Sequence, residues 1–117
     1  MPRLDFTIHG EPVSKGRPRF AKDGGVYTPA VTKAAEEAIG WKFLQAFPGH
    51  ELIDQPIAII LRFYMSGNRR CDTDNLSKLF LDSANMVIWT DDYLVWSIWA
   101  ERHTDPSKPR TEITITY

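Results

Sequence analysis

The 117-residue chain has almost no sulfur chemistry and no long apolar stretch. Its one cysteine, Cys71, excludes an intrachain disulfide and a cysteine-rich zinc site. The three histidines, His9, His50 and His103, are far apart and match no ligand spacing, so a soft-metal site is not expected. No apolar run approaches the roughly 20 residues that span a membrane, and the N-terminus lacks the apolar core of a signal peptide. We therefore expect a cytoplasmic protein with no membrane span.

The chain also lacks the net positive charge that is typical of DNA-binding domains. Its formal net charge is −1, but the charges are unevenly distributed. Residues 1–22 contain five basic and two acidic side chains, whereas residues 82–105 contain five acidic and one basic. This separation fits a protein that grips a polyanion with one region and holds a metal ion with another. It fits equally a domain whose charged regions only face water.

The hydrophobic pattern predicts an α+β fold in a single domain, residues 1–117. Strands are predicted over residues 4–10, 26–27, 56–65, 91–102 and 111–117, helices over 29–47 and 75–85, and an exposed loop over 11–25. In the first helix, Ala34, Ala38, Trp41 and Leu44 or Gln45 recur at helical spacing, and the predicted buried stripe of the second helix is Leu76, Leu79, Phe80 and Val87. The order is β-(β)-α-β-α-β-β, with two main helices over a mixed, largely antiparallel sheet.

The strand predicted over residues 91–102 is apolar on both faces. Its alternating sets are Leu94, Trp96 and Ile98 on one face and Tyr93, Val95 and Trp99 on the other. This pattern indicates a central strand, or a strand that also contacts a partner. The chain's four tryptophans are accordingly assigned to the core or to a dimer interface rather than to base stacking.

Carboxylates are concentrated around the start of the second helix. Asp72 and Asp74 are two residues apart in extended chain, so their side chains point to the same side. Asp74, which is the expected N-cap, is followed by Lys78 and Asp82 at i+4 and i+8, along one edge of the helix.

A second acidic pair, Asp91 and Asp92, lies at the beginning of the next strand, which returns beside the helix if the two form a hairpin. Oxygen ligands without histidine or cysteine favour Mg²⁺ or Mn²⁺. Such ions activate water in phosphodiester cleavage. The alternative is that the acids serve only as a helix cap and a turn.

Two groups of basic residues are candidates for nucleic-acid binding. Lys15, Arg17 and Arg19 lie in the predicted loop, and Arg69 and Arg70 directly precede the acids. Arginine forks suit phosphate oxygens. The alternatives are a solvated loop, and ion pairs between the arginines and the neighbouring acids.

Four segments, GEPVSKGRPRF, YTP, DTDNLSKLFLDS and WTDDYLVWSI, together resemble the RusA family of Holliday-junction resolvases. The resemblance extends from about residue 10 to residue 97. It implies a homodimeric, Mg²⁺-dependent endonuclease that makes paired nicks across a four-way DNA junction in recombination and repair. It implies no organic cofactor, and such enzymes are often carried by phages and prophages.

Carried over by position, the resemblance implies that Asp72, Asp74 and Asp92 are the essential carboxylates and Lys78 the essential basic residue. Asp91 is implied as a supporting neighbour. Three other functions stay open from the residues alone: a nuclease for other branched DNA, a non-catalytic branched-DNA-binding module, and a purely structural oligomerising domain.

Overall fold

Two helices and a four-stranded sheet form the body of the structure, a computed structural model that describes residues 1–15, 19–20, 22, 24–27, 30–68 and 70–117. The elements are β1 (Arg3–His9), β2 (Arg19–Phe20), β3 (Val26–Tyr27), α1 (Ala30–Ala46), β4 (Ile57–Met65), α2 (Thr73–Ala84), β5 (Val95–Thr104) and β6 (Arg110–Thr116). The predicted α+β class and element order are confirmed. The short strand β2 is an addition, because residues 11–25 were expected to form a loop, and it pairs with β3.

The main sheet has the order β1-β6-β4-β5. β6 pairs antiparallel with both β1 and β4, while β5 runs parallel to β4. The sheet is therefore mixed and largely antiparallel, as predicted. The parallel pair follows from the connection, because α2 carries the chain back to the starting end of β4 before β5 begins.

The hydrophobic core lies between one face of this sheet and the two helices. Alternate β4 side chains, Ile59 and Leu61 among them, are buried on that face. Phe43 of α1 packs edge-on against Phe6 of β1 at a centroid distance of 5.6 Å. Phe80 of α2 contacts the ring of Trp89 in the same way at 6.3 Å. None of the helices in the described part of the chain combines the length and apolarity needed to cross a bilayer.

Most of the predicted buried stripe of α2 is confirmed, whereas the residues that recur at helical spacing in α1 do not form its buried face. Trp41 is 66% exposed and Leu44 is 40% exposed, while Phe43 is fully buried. A phenylalanine removes far more apolar area from water than the alanines Ala34 and Ala38, so the face that carries Phe43 turns to the core. In α2, Leu76, Leu79 and Phe80 are buried, and Val87 lies beyond the helix and is half-buried.

The first interpretation of the tryptophan-rich strand, as a central strand, is also wrong. β5 lies at the edge of the sheet, because β6 already occupies the other side of β4. Trp96 is 75% exposed and Trp99 is 63% exposed. Of the four tryptophans, Trp89 belongs to the core and the other three are exposed. The second interpretation, a strand that also contacts a partner, stays a prediction.

Candidate active site

One edge of α2 forms a wall of an open cleft. Asp74, Lys78 and Asp82 all line this cleft, whose volume is about 640 Å³. The spacing i, i+4, i+8 places them above one another on the helix, while the opposite face of α2 packs into the core. The helical edge predicted from the sequence is therefore present and faces an open cavity.

Asp92 brings a second segment of the chain to the same cleft. It begins a short 3₁₀ turn, Asp92–Leu94, that leads into β5. Its Oδ1 accepts a hydrogen bond of 2.8 Å from Nε1 of Trp89, whose side chain is fully buried. The Asp92 carboxylate is thereby held by a rigid group of the core. Asp74 and Asp92, from the two acidic segments, therefore line the same cleft.

Part of the cleft lining is apolar. Leu81 of α2 and Ile98 and Ala100 of β5 line it together with the acidic and basic side chains. Apolar walls lower the local dielectric, so charges in the cleft interact more strongly than they would in bulk water. The arrangement suits a charged group that enters from solvent and is held against fixed side chains.

Asp72 and Asp91 lie beside the cleft rather than in its described lining. Asp72, not Asp74, is the N-cap of α2, and its side chain makes no capping hydrogen bond. The expectation that Asp74 is the cap is corrected: helix α2 starts at Thr73, and Oδ1 of Asp74 accepts from the backbone N–H of Asn75 at 2.9 Å. Asp91 caps the 3₁₀ turn, where its side chain accepts from the Tyr93 N–H.

The donor chemistry of these residues fits a hard divalent cation, although the carboxylates do not form a closed cluster. Among the described residues, no three His, Cys, Asp or Glu side chains are close enough together to hold a metal ion. Asp72 and Asp74 are exposed, and Asp92 is half-buried. Exposed carboxylates without histidine or cysteine are the donors that Mg²⁺ and Mn²⁺ prefer.

The predicted nucleic-acid-binding residues have different surroundings. Lys15 is not free in solution: its ammonium pairs with Asp82 and lies 3.4 Å from Glu36 Oε1. Arg70 is exposed, next to the acids. The remaining three fall outside what is described: Arg17 and Arg69 entirely, and Arg19 in its side chain.

Two further residues position the site and were not identified from the sequence. Trp89 was assigned to the core or to an interface without a role for its indole N–H; the short spacing from Trp89 to Asp92 was the available signal. Arg102 of β5 donates to the carbonyl oxygen of Cys71 and so fixes the residue that precedes Asp72. No sequence signal links Arg102 to Cys71, because they lie 31 positions apart.

Comparison with known proteins identifies the family of the chain. A family model described as Endodeoxyribonuclease RusA matches residues 9–116. The match includes α2, the segment with Asp91 and Asp92, and the residues of the cleft. A search of curated proteins found no match to the chain.

Proposed function

The chain belongs to the RusA family of endodeoxyribonucleases, and from this we propose that it resolves four-way DNA junctions by paired, symmetric, Mg²⁺-dependent nicks. The observation that carries the proposal is the cleft shared by Asp74, Lys78 and Asp92. These residues come from two separate segments, and a helix cap or a turn alone does not require them to share a cavity. Such an enzyme acts in DNA recombination and repair in the cytoplasm.

In this proposal Asp72, Asp74 and Asp92 hold Mg²⁺, with Asp91 as a neighbour and Mn²⁺ as a substitute ion. When bound, the ion supplies activation of water and stabilisation of the leaving oxygen. Trp89 keeps the Asp92 carboxylate oriented through its 2.8 Å hydrogen bond. That hydrogen bond leaves the other oxygen of Asp92 for the ion.

Lys78 has a separate part in the proposed reaction. Its exposed ammonium lies on the edge of α2 one turn after Asp74 and lines the same cleft. There it stabilises the negative charge that gathers on the phosphoryl oxygens in the transition state. Because the cleft also holds carboxylates, a phosphate is repelled from it until a cation is bound.

Binding of the DNA backbone is assigned to basic residues around the cleft. Arg70 is exposed beside Asp72, and Arg17, Arg19 and Arg69 are proposed to act with it. Their guanidinium groups suit phosphate oxygens. Junction binding is therefore expected to persist when the metal is removed, whereas cleavage is not.

Paired nicks need two equivalent sites, and we assign the dimer contact to β5. A four-way junction presents two equivalent strands, and a C₂ dimer presents two equivalent clefts. β5 is an edge strand that exposes Trp96 and Trp99, and its Ile98 lines the cleft. A dimer formed along this strand lies directly beside both sites.

A labelled mobile four-way junction, incubated with and without Mg²⁺ and analysed on a denaturing gel, tests the proposal. Wild-type protein is expected to nick two opposite strands only when Mg²⁺ is present. Asp74→Asn is expected to lose nicking while its junction affinity stays within about three-fold. Glu51→Gln removes an exposed carboxylate outside the cleft and should behave like wild type. Full cleavage by Asp74→Asn would contradict the assignment of Asp74 as a ligand of Mg²⁺.

The same assay separates the alternative functions. A flap substrate or a plain duplex cut as well as the junction would indicate a nuclease for other DNA structures. Salt-dependent junction binding without nicking at any Mg²⁺ concentration would indicate a non-catalytic binding module.

A further inference from the structure

The side chain of Lys15 is held between the two helices rather than extended into solvent. Its ammonium pairs with Oδ2 of Asp82 on α2 and lies 3.4 Å from Oε1 of Glu36 on α1. The side chain is only 17% exposed. Its backbone N–H donates to the carbonyl oxygen of Asn75 at 3.0 Å. Lys15 is therefore fixed to α2 at both its backbone and its side chain.

The segment that leads to Lys15, residues 10–15, is fastened to the sheet as well. The N–H of Gly10 donates to the carbonyl oxygen of Pro109 at 3.0 Å. The carboxylate of Glu11 accepts from the N–H of Ser66 at 3.2 Å, at the end of β4. Pro12 is buried. This anchoring sets where Lys15 lies.

Asp82 is the acid that Lys15 neutralises, and it lines the cleft with Asp74 and Asp92. Lys78 is the one basic side chain in the described lining of the cleft. Without Lys15, the single positive charge of Lys78 would have to balance all three carboxylates. An uncompensated carboxylate on the same helix edge repels phosphate and attracts a cation, and the apolar part of the lining strengthens both effects.

The electrostatic surroundings keep Lys15 charged. Burial alone lowers the pKa of its ammonium, but the hydrogen bond and charge of Asp82, together with Glu36, more than offset that effect. The pKa of Lys15 is therefore raised above its ordinary value.

We propose that Lys15 is a positioning residue for the nuclease reaction proposed above: it neutralises Asp82 and thereby keeps that carboxylate from binding the divalent ion and from repelling the scissile phosphate. It does not contact DNA itself. This inference rests on the proposed function for its effect on cleavage, and on Lys15 and Asp82 alone for its effect on metal binding.

Mn²⁺ titrations followed by the electron paramagnetic resonance signal of free Mn²⁺ test the inference without DNA. Lys15→Met is expected to bind Mn²⁺ at least three-fold more tightly than wild type, since Asp82 becomes an additional ligand and a positive charge is lost. Lys15→Met/Asp82→Asn is expected to return to within two-fold of the wild-type affinity. Lys42→Met removes an exposed lysine outside the cleft and should bind Mn²⁺ like wild type.

Junction cleavage supplies the second readout. Lys15→Met is expected to lower kcat about ten-fold, and any loss of metal-free junction affinity should be rescued by Asp82→Asn. Adding Asp82→Asn should restore kcat to within about three-fold of Asp82→Asn alone. Lys15→Arg should keep most activity, because a guanidinium can still pair with Asp82.

Two results would overturn the inference. One is an unchanged Mn²⁺ affinity in Lys15→Met. The other is a weaker junction affinity in Lys15→Met that Asp82→Asn does not rescue, together with a salt dependence reduced by about one phosphate contact. That result would make Lys15 a direct DNA contact. If wild-type protein nicks no DNA, the proposed function fails, and the Mn²⁺ titration still decides whether Lys15 controls Asp82.

Discussion

At the scale of single residues, the bond between Trp89 and Asp92 links the core to the cleft. The indole is fully buried against Phe80, and its N–H is directed at the Asp92 carboxylate. A hydrogen bond to a charged acceptor contributes roughly 1.5–3 kcal/mol. It fixes one of the two segments whose acids share the cleft.

Trp89→Phe keeps an aromatic ring in the core but removes this N–H. We expect kcat for junction cleavage to fall about ten-fold, because Asp92 loses its orientation, whereas metal-free junction affinity should change less than two-fold. Phe80→Leu, which alters the packing against the same ring without touching the hydrogen bond, is the control in cleavage and thermal-unfolding measurements. Equal losses of kcat in the two variants would contradict a specific role for the indole N–H.

The shared edge of helix α2 was readable from the sequence, but the partners of its acids were not. Asp74, Lys78 and Asp82 share a helix edge because the spacing is local. The pair between Lys15 and Asp82 joins positions 67 apart in the chain, so no local pattern predicts it. As a result Lys15 was classed with the DNA-binding residues, although its ammonium faces two carboxylates.

At the scale of the elements, periodicity predicted which residues alternate but not which neighbours they meet. The α2 stripe was found because Leu76, Leu79 and Phe80 are its dominant apolar side chains. In β5, two apolar faces indicated either a central strand or a partner contact. Whether β5 is central depends on the order of the strands in the sheet. That order is set by the α2 connection and by the position of β6, which are not part of the β5 sequence.

The exposed edge strand leads to a prediction about assembly. Trp99→Lys on β5 should weaken the proposed dimer by about 30-fold or more, since a buried tryptophan at the centre of an interface contributes about 2 kcal/mol or more. Sedimentation equilibrium measures this as a shift toward the 13.4 kDa monomer.

Trp41→Lys is a matched control for this assembly test. Trp41 is 66% exposed on α1, and Trp99 is 63% exposed. The control should sediment like wild type and keep paired incision. A dimer that survives Trp99→Lys, or that Trp41→Lys disrupts equally, would place the interface elsewhere.

Across the molecule, some of the unevenly distributed charges form ion pairs with one another. Lys15 from the basic N-terminal region neutralises Asp82 from the acidic one. On the sheet, Arg62 pairs with Glu101 and Arg110 pairs with Asp105. The low net charge therefore does not describe the local field of the cleft.

These pairs predict how stability depends on pH. The hydrogen bond from Arg110 lowers the pKa of Asp105 below 3.8, and hydrogen bonds from Trp99 and His103 lower that of Glu101 below 4.5. Their stabilisation is thus present above these ordinary values and is lost as the pH falls through the lower folded-state pKa values. The thermal midpoint should fall as the pH is lowered below about 4.5.

Asp105→Asn should make the thermal midpoint fall less steeply as the pH is lowered, because it removes one carboxylate that binds its proton less readily in the folded state. Glu51→Gln, at a site outside these ion pairs, should keep the wild-type slope. Differential scanning calorimetry between pH 7 and pH 2.5 measures both. If the thermal midpoint of Asp105→Asn depends on pH as steeply as that of wild type, this carboxylate does not contribute to the pH dependence of stability.

The proposed function requires a divalent ion that is held by both acidic segments at once. A Mn²⁺ titration followed by amide NMR tests this most directly, because the bound ion broadens the resonances nearest to it. We expect the amides of residues 72–75 and 91–93 to broaden first and together, and Asp74→Asn to abolish the effect in both segments. Broadening of one segment without the other, or no selective broadening of either, would contradict it.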